Sequence, residues 1–300
     1  MRKSMITINQ NNNEVGALYL MGEIAISFIL ASIVKIVEPS FSIFLILFFR
    51  YLFCLPLLLA YAIYTRGSKF LSITNVPGLG LRTGFGFLGL SMWFLAITNI
   101  DISLATALNQ TMPIFITGLS VVIAGEKVGL KRLLSVMVGF LGVLVLIFPL
   151  TPSLNLLGVL YALLGALFSA LMFVYLRVLG RTDSAVSTSI WYNIVGAILA
   201  GLLTYSVDGF EIVFGLSVLG PLYLLMALGF LASFQQFFLA QSHAHAQAST
   251  LAPLHFLAIP LAIGVGILLF NETITVKFLL GTAIIVASTY YIFIRQQGNL

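Results

Sequence analysis

Residues 105–126, ATALNQTMPIFITGLSVVIAGE, and residues 246–272, AQASTLAPLHFLAIPLAIGVGILLFNE, follow one pattern. Each opens on alanine-rich small residues and runs through mostly apolar positions interrupted by proline, Pro113 in the first and Pro253 and Pro260 in the second. Each stops at a glutamate, Glu126 or Glu272, and a short turn leads into another apolar run opening on Gly139 or Gly281. One such segment reads as a membrane helix and its exit. Two of them read as a duplicated membrane fold, because self-similarity at a fixed period marks a repeated structural unit.

The composition fits that reading. The 300 residues are 60% hydrophobic and 8% charged, with a mean hydropathy of +1.12, whereas about a quarter of the residues in soluble domains are charged. So few charges cannot cover a water-soluble surface of this size, which makes the chain a polytopic membrane protein. Residues 1–14, with Arg2, Lys3 and an asparagine-rich stretch, form a short polar tail. The apolar run from Val15 to Val34 exceeds a signal-peptide core and is expected to stay as the first helix. Cys54 is the single cysteine, so no intrachain disulfide forms. The net charge of +5 reflects topology rather than a nucleic-acid surface.

A spanning helix needs roughly 20 apolar residues. Breaks at charges, prolines and Asn/Gly clusters predict ten spans near 15–36, 41–64, 79–98, 103–124, 131–150, 155–178, 186–206, 215–240, 246–270 and 277–295. With a cytoplasmic N-terminus, Arg2, Lys3, Arg66, Lys69, Arg82, Lys127, Lys131, Arg132, Arg177, Arg181 and Arg295 fall at cytoplasmic ends. Lys35 and Lys277 fall at the outer face with Asp101, Asp208, Glu211 and Glu272, and Arg50 lies within a span. The expected fold is therefore all-α, with both termini cytoplasmic. Five spans in 15–150 and five in 155–295 have opposite orientations, an inverted repeat whose substrate site lies near the midplane.

The FFR of Phe48–Arg50, the two proline-broken segments and the ten-span count together resemble the drug/metabolite transporter superfamily. The likeness is to its EamA-type members, among them YddG-like amino-acid exporters, and it extends from about residue 15 to 295. It implies a central cavity between the halves and alternating access without ATP.

Two charges inside spans need an account, since an unpaired ionised side chain costs about 2.5–3.5 kcal/mol on insertion scales. Glu23 and Arg50 are placed to form a structural ion pair if the first two helices pack antiparallel. Alternatively, Glu23 faces the cavity, with Ser27 on the same helix face, and contacts a substrate ammonium or carries a proton. Thr106, Asn109, Gln110, Pro113 and Thr117 fall on one helix face; amides there must meet protein or a watery cavity. The repeat partner is the stretch around Pro253 and His255, where the resemblance implies a Pro-Leu motif often followed by a carboxylate; here the residue is histidine, whose titration range suits proton coupling. Aligning the third and eighth spans sets Ser91, Met92 and Trp93 against Gln235, Gln236 and Phe237. Trp93, Trp191, Tyr192 and Tyr161 also fit interfacial or core positions. His243 and His245 read as loop residues, and Glu126 and Glu272 as caps of neighbouring helix N-termini.

No metalloprotease, P-loop, dinucleotide or nucleophile-elbow motif is present, and no metal or cofactor is expected. The sequence thus points to a multi-pass secondary transporter of the inner (plasma) membrane, most simply an amino-acid exporter. Its expected substrate-binding residues are Glu23, Trp93, Asn109, Gln110, Gln235 and His255, with proton coupling at Glu23 or His255 left open. Larger nucleotide-like solutes such as S-adenosylmethionine or a nucleotide-sugar are the alternative cargo. An intramembrane enzyme or a membrane assembly partner are the rivals of another class. The expected partners are a small-molecule substrate and the lipid bilayer, not nucleic acid, and glycines such as Gly139 and Gly142 leave monomer and homodimer both open.

Overall fold

A computed structural model describes residues 13–124, 130–147, 154–180, 182–209, 222–245 and 252–297. Glu126, Lys127, Arg181, Glu211 and residues 1–12 lie outside them. The described residues are helical: α1 (Asn13–Val37), α2 (Ile43–Arg66), α3 (Val76–Asn99), α4 (Ile102–Asn109), α5 (Met112–Ala124) and α6 (Leu130–Ile147) come first. After these come α7 (Leu156–Leu179), α8 (Ala185–Asp208), α9 (Leu222–His245), a 3-10 turn at Ala252–Leu257, α10 (Ala258–Phe270) and α11 (Val276–Gln297). Among the described residues, six helices, within Glu14–Ser40, Ile43–Lys69, Val76–Asn99, Leu156–Leu176, Ala185–Val207 and Leu222–Ser242, are long and apolar enough to cross a membrane.

The helix ends follow from local chemistry. Ser42 accepts a hydrogen bond from Leu45 N at 3.2 Å to open α2, and Asn75 accepts one from Gly78 N at 2.9 Å to open α3. Gly67 closes α2 with φ 54°, a left-handed conformation that glycine adopts without Cβ strain. Large apolar side chains such as Leu18, Leu268 and Val276 are exposed, an outer surface that only lipid satisfies. The interior is built on Leu20, Leu45, Ile46, Leu47 and Tyr51, each fully buried.

The fourth expected span is not one helix. Pro113 has no N–H to give to the carbonyl four residues back, and α4 ends at Asn109 with a tight turn, Thr111 N bonding to Leu108 O at 3.0 Å. Next to it at this break, the Gln110 carbonyl accepts from Thr289 Oγ1 of α11 at 3.2 Å. The predicted single face from Thr106 to Thr117 is therefore interrupted. The ninth span is broken as well, into the 3-10 turn and α10. The eighth runs on to His245, so His243 and His245 belong to the end of α9 and not to a loop. His245 Nδ1 lies 2.9 Å from Gln241 O, and its ring packs 5.7 Å from that of Tyr19.

Helices pair in a pattern that sequence order does not suggest: α3 lies along α7, α1 along α9, α2 along α8 and α6 along α11. At the α6–α11 crossing the backbones nearly touch. A Cβ on Gly142 would stand 2.8 Å from Ile285 Cγ1 and 3.0 Å from the Gly281 carbonyl. Gly142→Val is expected to cost about 1–3 kcal/mol through overpacking, read as a lower unfolding midpoint in detergent. Gly118→Ala, with open space around it, is expected to hold or raise that midpoint.

The α7–α8 turn is tied to the loop before α3. Asp183 accepts from Thr74 N at 2.5 Å, from Asn75 N at 3.1 Å and from Thr182 Oγ1 at 2.7 Å. The Thr74 amide above all, then the Thr182 hydroxyl, holds its carboxyl below the ordinary 3.8. A depressed carboxyl favours the folded tie at every pH above 3.8 and loses that preference as pH falls through its own lower value. Amide-exchange protection at Thr74 and Asn75 is therefore expected to persist from neutral pH down past 3.8 and then to collapse. In Asp183→Asn it should be weak throughout.

Candidate functional site

Glu23, midway along α1, is 9% exposed. Its Oε1 accepts from Ser27 Oγ and from Gln235 Nε2 of α9, each at 3.0 Å, and Gln235 Nε2 also reaches Ser27 Oγ at 2.7 Å. The i, i+4 spacing puts Glu23 and Ser27 on one face of α1, and the α1–α9 packing delivers Gln235 to that face. Both partners are neutral. No ion pair involves Glu23 among the described residues, so a carboxylate inside the membrane is held by hydrogen bonds alone. That arrangement has room in its electrostatics for a cation.

The expected Glu23–Arg50 ion pair does not form. Helices α1 and α2 are joined by a short turn, yet α1 packs on α9 while α2 packs on α8 and α9. The Arg50 guanidinium instead lies 5.4 Å from the centroid of the Tyr51 ring, with its Nη1 buried and without a hydrogen-bond partner.

Gln110 and His255 are brought together at the two helix breaks, where Gln110 Nε2 donates to the His255 carbonyl at 3.4 Å. Trp93 and Asn109 are half-buried, and no hydrogen bond links them to Glu23 or Gln235. Of the six expected binding residues, then, Glu23 and Gln235 meet directly, and Gln110 and His255 form a second contact.

A further polar centre was not anticipated. Arg82, assigned by sequence to a cytoplasmic end, is 7% exposed inside α3. Its guanidinium lies 4.6 Å over the Tyr192 ring of α8 and donates through Nη1 to the Thr188 carbonyl at 3.3 Å. Tyr192 and Tyr51 share a hydroxyl–hydroxyl contact of 3.0 Å. Beside them, Asn193 Nδ2 donates to Gln236 Oε1 at 3.3 Å, and Gln236 Nε2 lies 3.5 Å from the buried Cys54 Sγ. The usable signal was an arginine six positions into α3, deeper than an interfacial anchor needs to be.

Glu272 has a different job. It accepts from Ile102 N at 2.6 Å, Ser103 N at 3.1 Å and Ser103 Oγ at 2.5 Å, and meets Lys35 Nζ at 3.4 Å. This is the expected N-terminal cap, on α4. Burial, then the Glu272 charge, raises the nearby Asp101 carboxyl, with Lys35 opposing.

A sequence profile of the EamA-like transporter family matches residues 15–148 and again 156–294. Among curated relatives, the S-adenosylmethionine uptake transporter of Rickettsia prowazekii (strain Madrid E) is 26% identical over 261 residues, covering 86% of this chain and 85% of the relative. The riboflavin transporter of Brucella anthropi is 26% identical over 262 residues, covering 85% and 89%. The pseudopaline exporter of Pseudomonas aeruginosa is 26% identical over 253 residues, covering 84% and 87%. A solved crystal structure shares the fold with a TM-score of 0.61 at 17% identity, covering 92% of this chain and 95% of that one.

Proposed function

The chain belongs to the EamA-like transporter family, and from that premise we propose a secondary carrier for a small metabolite with an amino-acid headgroup, an amino acid itself or S-adenosylmethionine. The observation that carries the proposal is the Glu23–Ser27–Gln235 cluster, a buried carboxylate with neutral donors only. A substrate ammonium or sulfonium supplies the missing positive charge. Riboflavin and nucleotide-sugars bring no such group. The name of the Rickettsia relative agrees with the larger of the two cargoes.

The carrier has ten spans in this reading, the broken α4–α5 pair and the 3-10 turn with α10 each counting as one. Residues 15–150 and 155–295 form two five-span repeats of opposite orientation, both termini are cytoplasmic, and the bacterial relatives suggest an inner membrane. The pairing pattern supports the inverted repeat. If α1 corresponds to α7 and α3 to α9, the α1–α9 pair maps onto α7–α3, and both pairs are extensive. The likewise equivalent pairs α2–α8 and α6–α11 are also formed. Rocking between the halves then opens the midplane site to each side in turn. Protons and the substrate cation compete for Glu23, which gives the carrier a route to proton coupling.

Counterflow in proteoliposomes tests the proposal. Vesicles preloaded with unlabelled amino-acid pools or S-adenosylmethionine should accumulate the matching labelled solute, and empty vesicles should not. Folded protein that shows counterflow with none of these solutes removes the substrate class.

A further inference from the structure

The centre between α2, α3 and α8 holds two guanidinium groups and, among the described residues, no carboxylate paired with them. Arg50 is 6% and Arg82 7% exposed. Neither pairs with a carboxylate among the described residues, and each keeps a buried N–H donor without a partner, Nη1 of Arg50 and Nε of Arg82. The two cations flank one tyrosine pair: Arg50 lies by the Tyr51 ring, Arg82 over the Tyr192 ring, and the rings stand 5.3 Å apart at 85°. Ring faces soften a buried charge but do not satisfy its N–H donors. An arginine without a counter-ion inside a membrane is costly, and its planar fork matches the geometry of an oxyanion.

Helix α9 links this centre to the Glu23 cluster. Gln235 bonds Glu23, and the next residue, Gln236, bonds Asn193, the neighbour of Tyr192. Adjacent residues on a helix point about 100° apart, so α9 turns Gln235 to the Glu23 carboxylate on one flank and Gln236 to Asn193, next to Tyr192 and its guanidinium neighbour Arg82, on the other. A zwitterion has the complementary polarity. Resting on the carrier reading above, we infer that Arg50, Tyr51, Arg82 and Tyr192 form an anion subsite that takes the carboxylate of the transported solute, while Glu23 takes its cationic group.

The test is titration of the full-length protein in lipid nanodiscs with two matched pairs, L-methionine against its methyl ester and S-adenosylmethionine against its decarboxylated form. Wild type is expected to bind the carboxylate-bearing member of at least one pair roughly tenfold or more tightly, the scale of a lost charge-assisted contact. Arg82→Gln should bind both members of that pair alike. Arg82→Lys, which keeps the charge without the fork, should fall between and serves if the glutamine variant does not fold. Equal binding of both members by wild type, with affinity still dependent on Glu23, overturns the subsite and leaves the carrier reading standing. Displacement of the solute carboxylate by inorganic phosphate at equal concentration overturns it too, because the site then serves an inorganic anion. Absence of binding by all four probes, together with no counterflow, defeats the carrier's substrate class and with it the ligand assigned here.

Discussion

Glu272→Ala is expected to lower folded-state stability by about 3–5 kcal/mol, the range for removing one partner of a buried charged network, read as a large drop in unfolding midpoint in detergent. The side chain is 2% exposed and serves two backbone amides, a hydroxyl and an ammonium at once. Its loss leaves the first N–H groups of α4 buried without acceptors and opens a void against Gly266, where a Cβ would have met the Glu272 carboxylate. Lys35 is 20% exposed, so its share of the effect is the smaller one: Lys35→Met should cost about 1 kcal/mol or less. The two substitutions combined should come close to Glu272→Ala alone. A Glu272→Ala midpoint indistinguishable from wild type would show that water or another group caps α4 and that the carboxylate is dispensable.

That cap shows what the sequence made legible. A glutamate that ends an apolar run at the exit of a span has few roles in a membrane other than a helix N-terminus, and Glu272 fills one. Glu126, its counterpart, lies outside the described residues. The long apolar spans were equally plain because lipid demands a length and a hydropathy that residues declare one by one. Partner choice was harder. Glu23 and Arg50 looked paired because their helices are consecutive, but helix neighbours in this bundle are set by the packing of α1 on α9 and α2 on α8. Charge counting likewise said nothing of the burial of Arg82, since a tally of basic residues cannot separate an exposed arginine from one packed against Tyr192. The proline breaks interrupted a polar face that periodicity alone had drawn as continuous, because periodicity assumes an unbroken helix.

Glu23→Gln is expected to reduce counterflow by roughly 10- to 150-fold at limiting substrate, equivalent to the ~1.5–3 kcal/mol of a hydrogen bond to a charged group. Stability should move the other way or not at all. Glutamine keeps the shape, and its amide oxygen still accepts from Ser27 and Gln235, while a buried charge without a counter-ion is removed. A residue whose role is structural would lose stability and activity together, so opposite signs identify a binding carboxylate. The pH dependence adds a second signature. Where protons and substrate compete for one carboxylate, acidifying the medium weakens substrate binding in wild type, and glutamine has nothing to titrate. The variant's residual transport should therefore be flat across the range in which wild type changes, unless His255 carries a proton as well; Glu23→Gln/His255→Ala separates the two. Wild-type counterflow rates in Glu23→Gln, from protein of unchanged stability, would move the substrate away from the α1–α9 face and leave the hydrogen bonds of Ser27 and Gln235 as helix packing only.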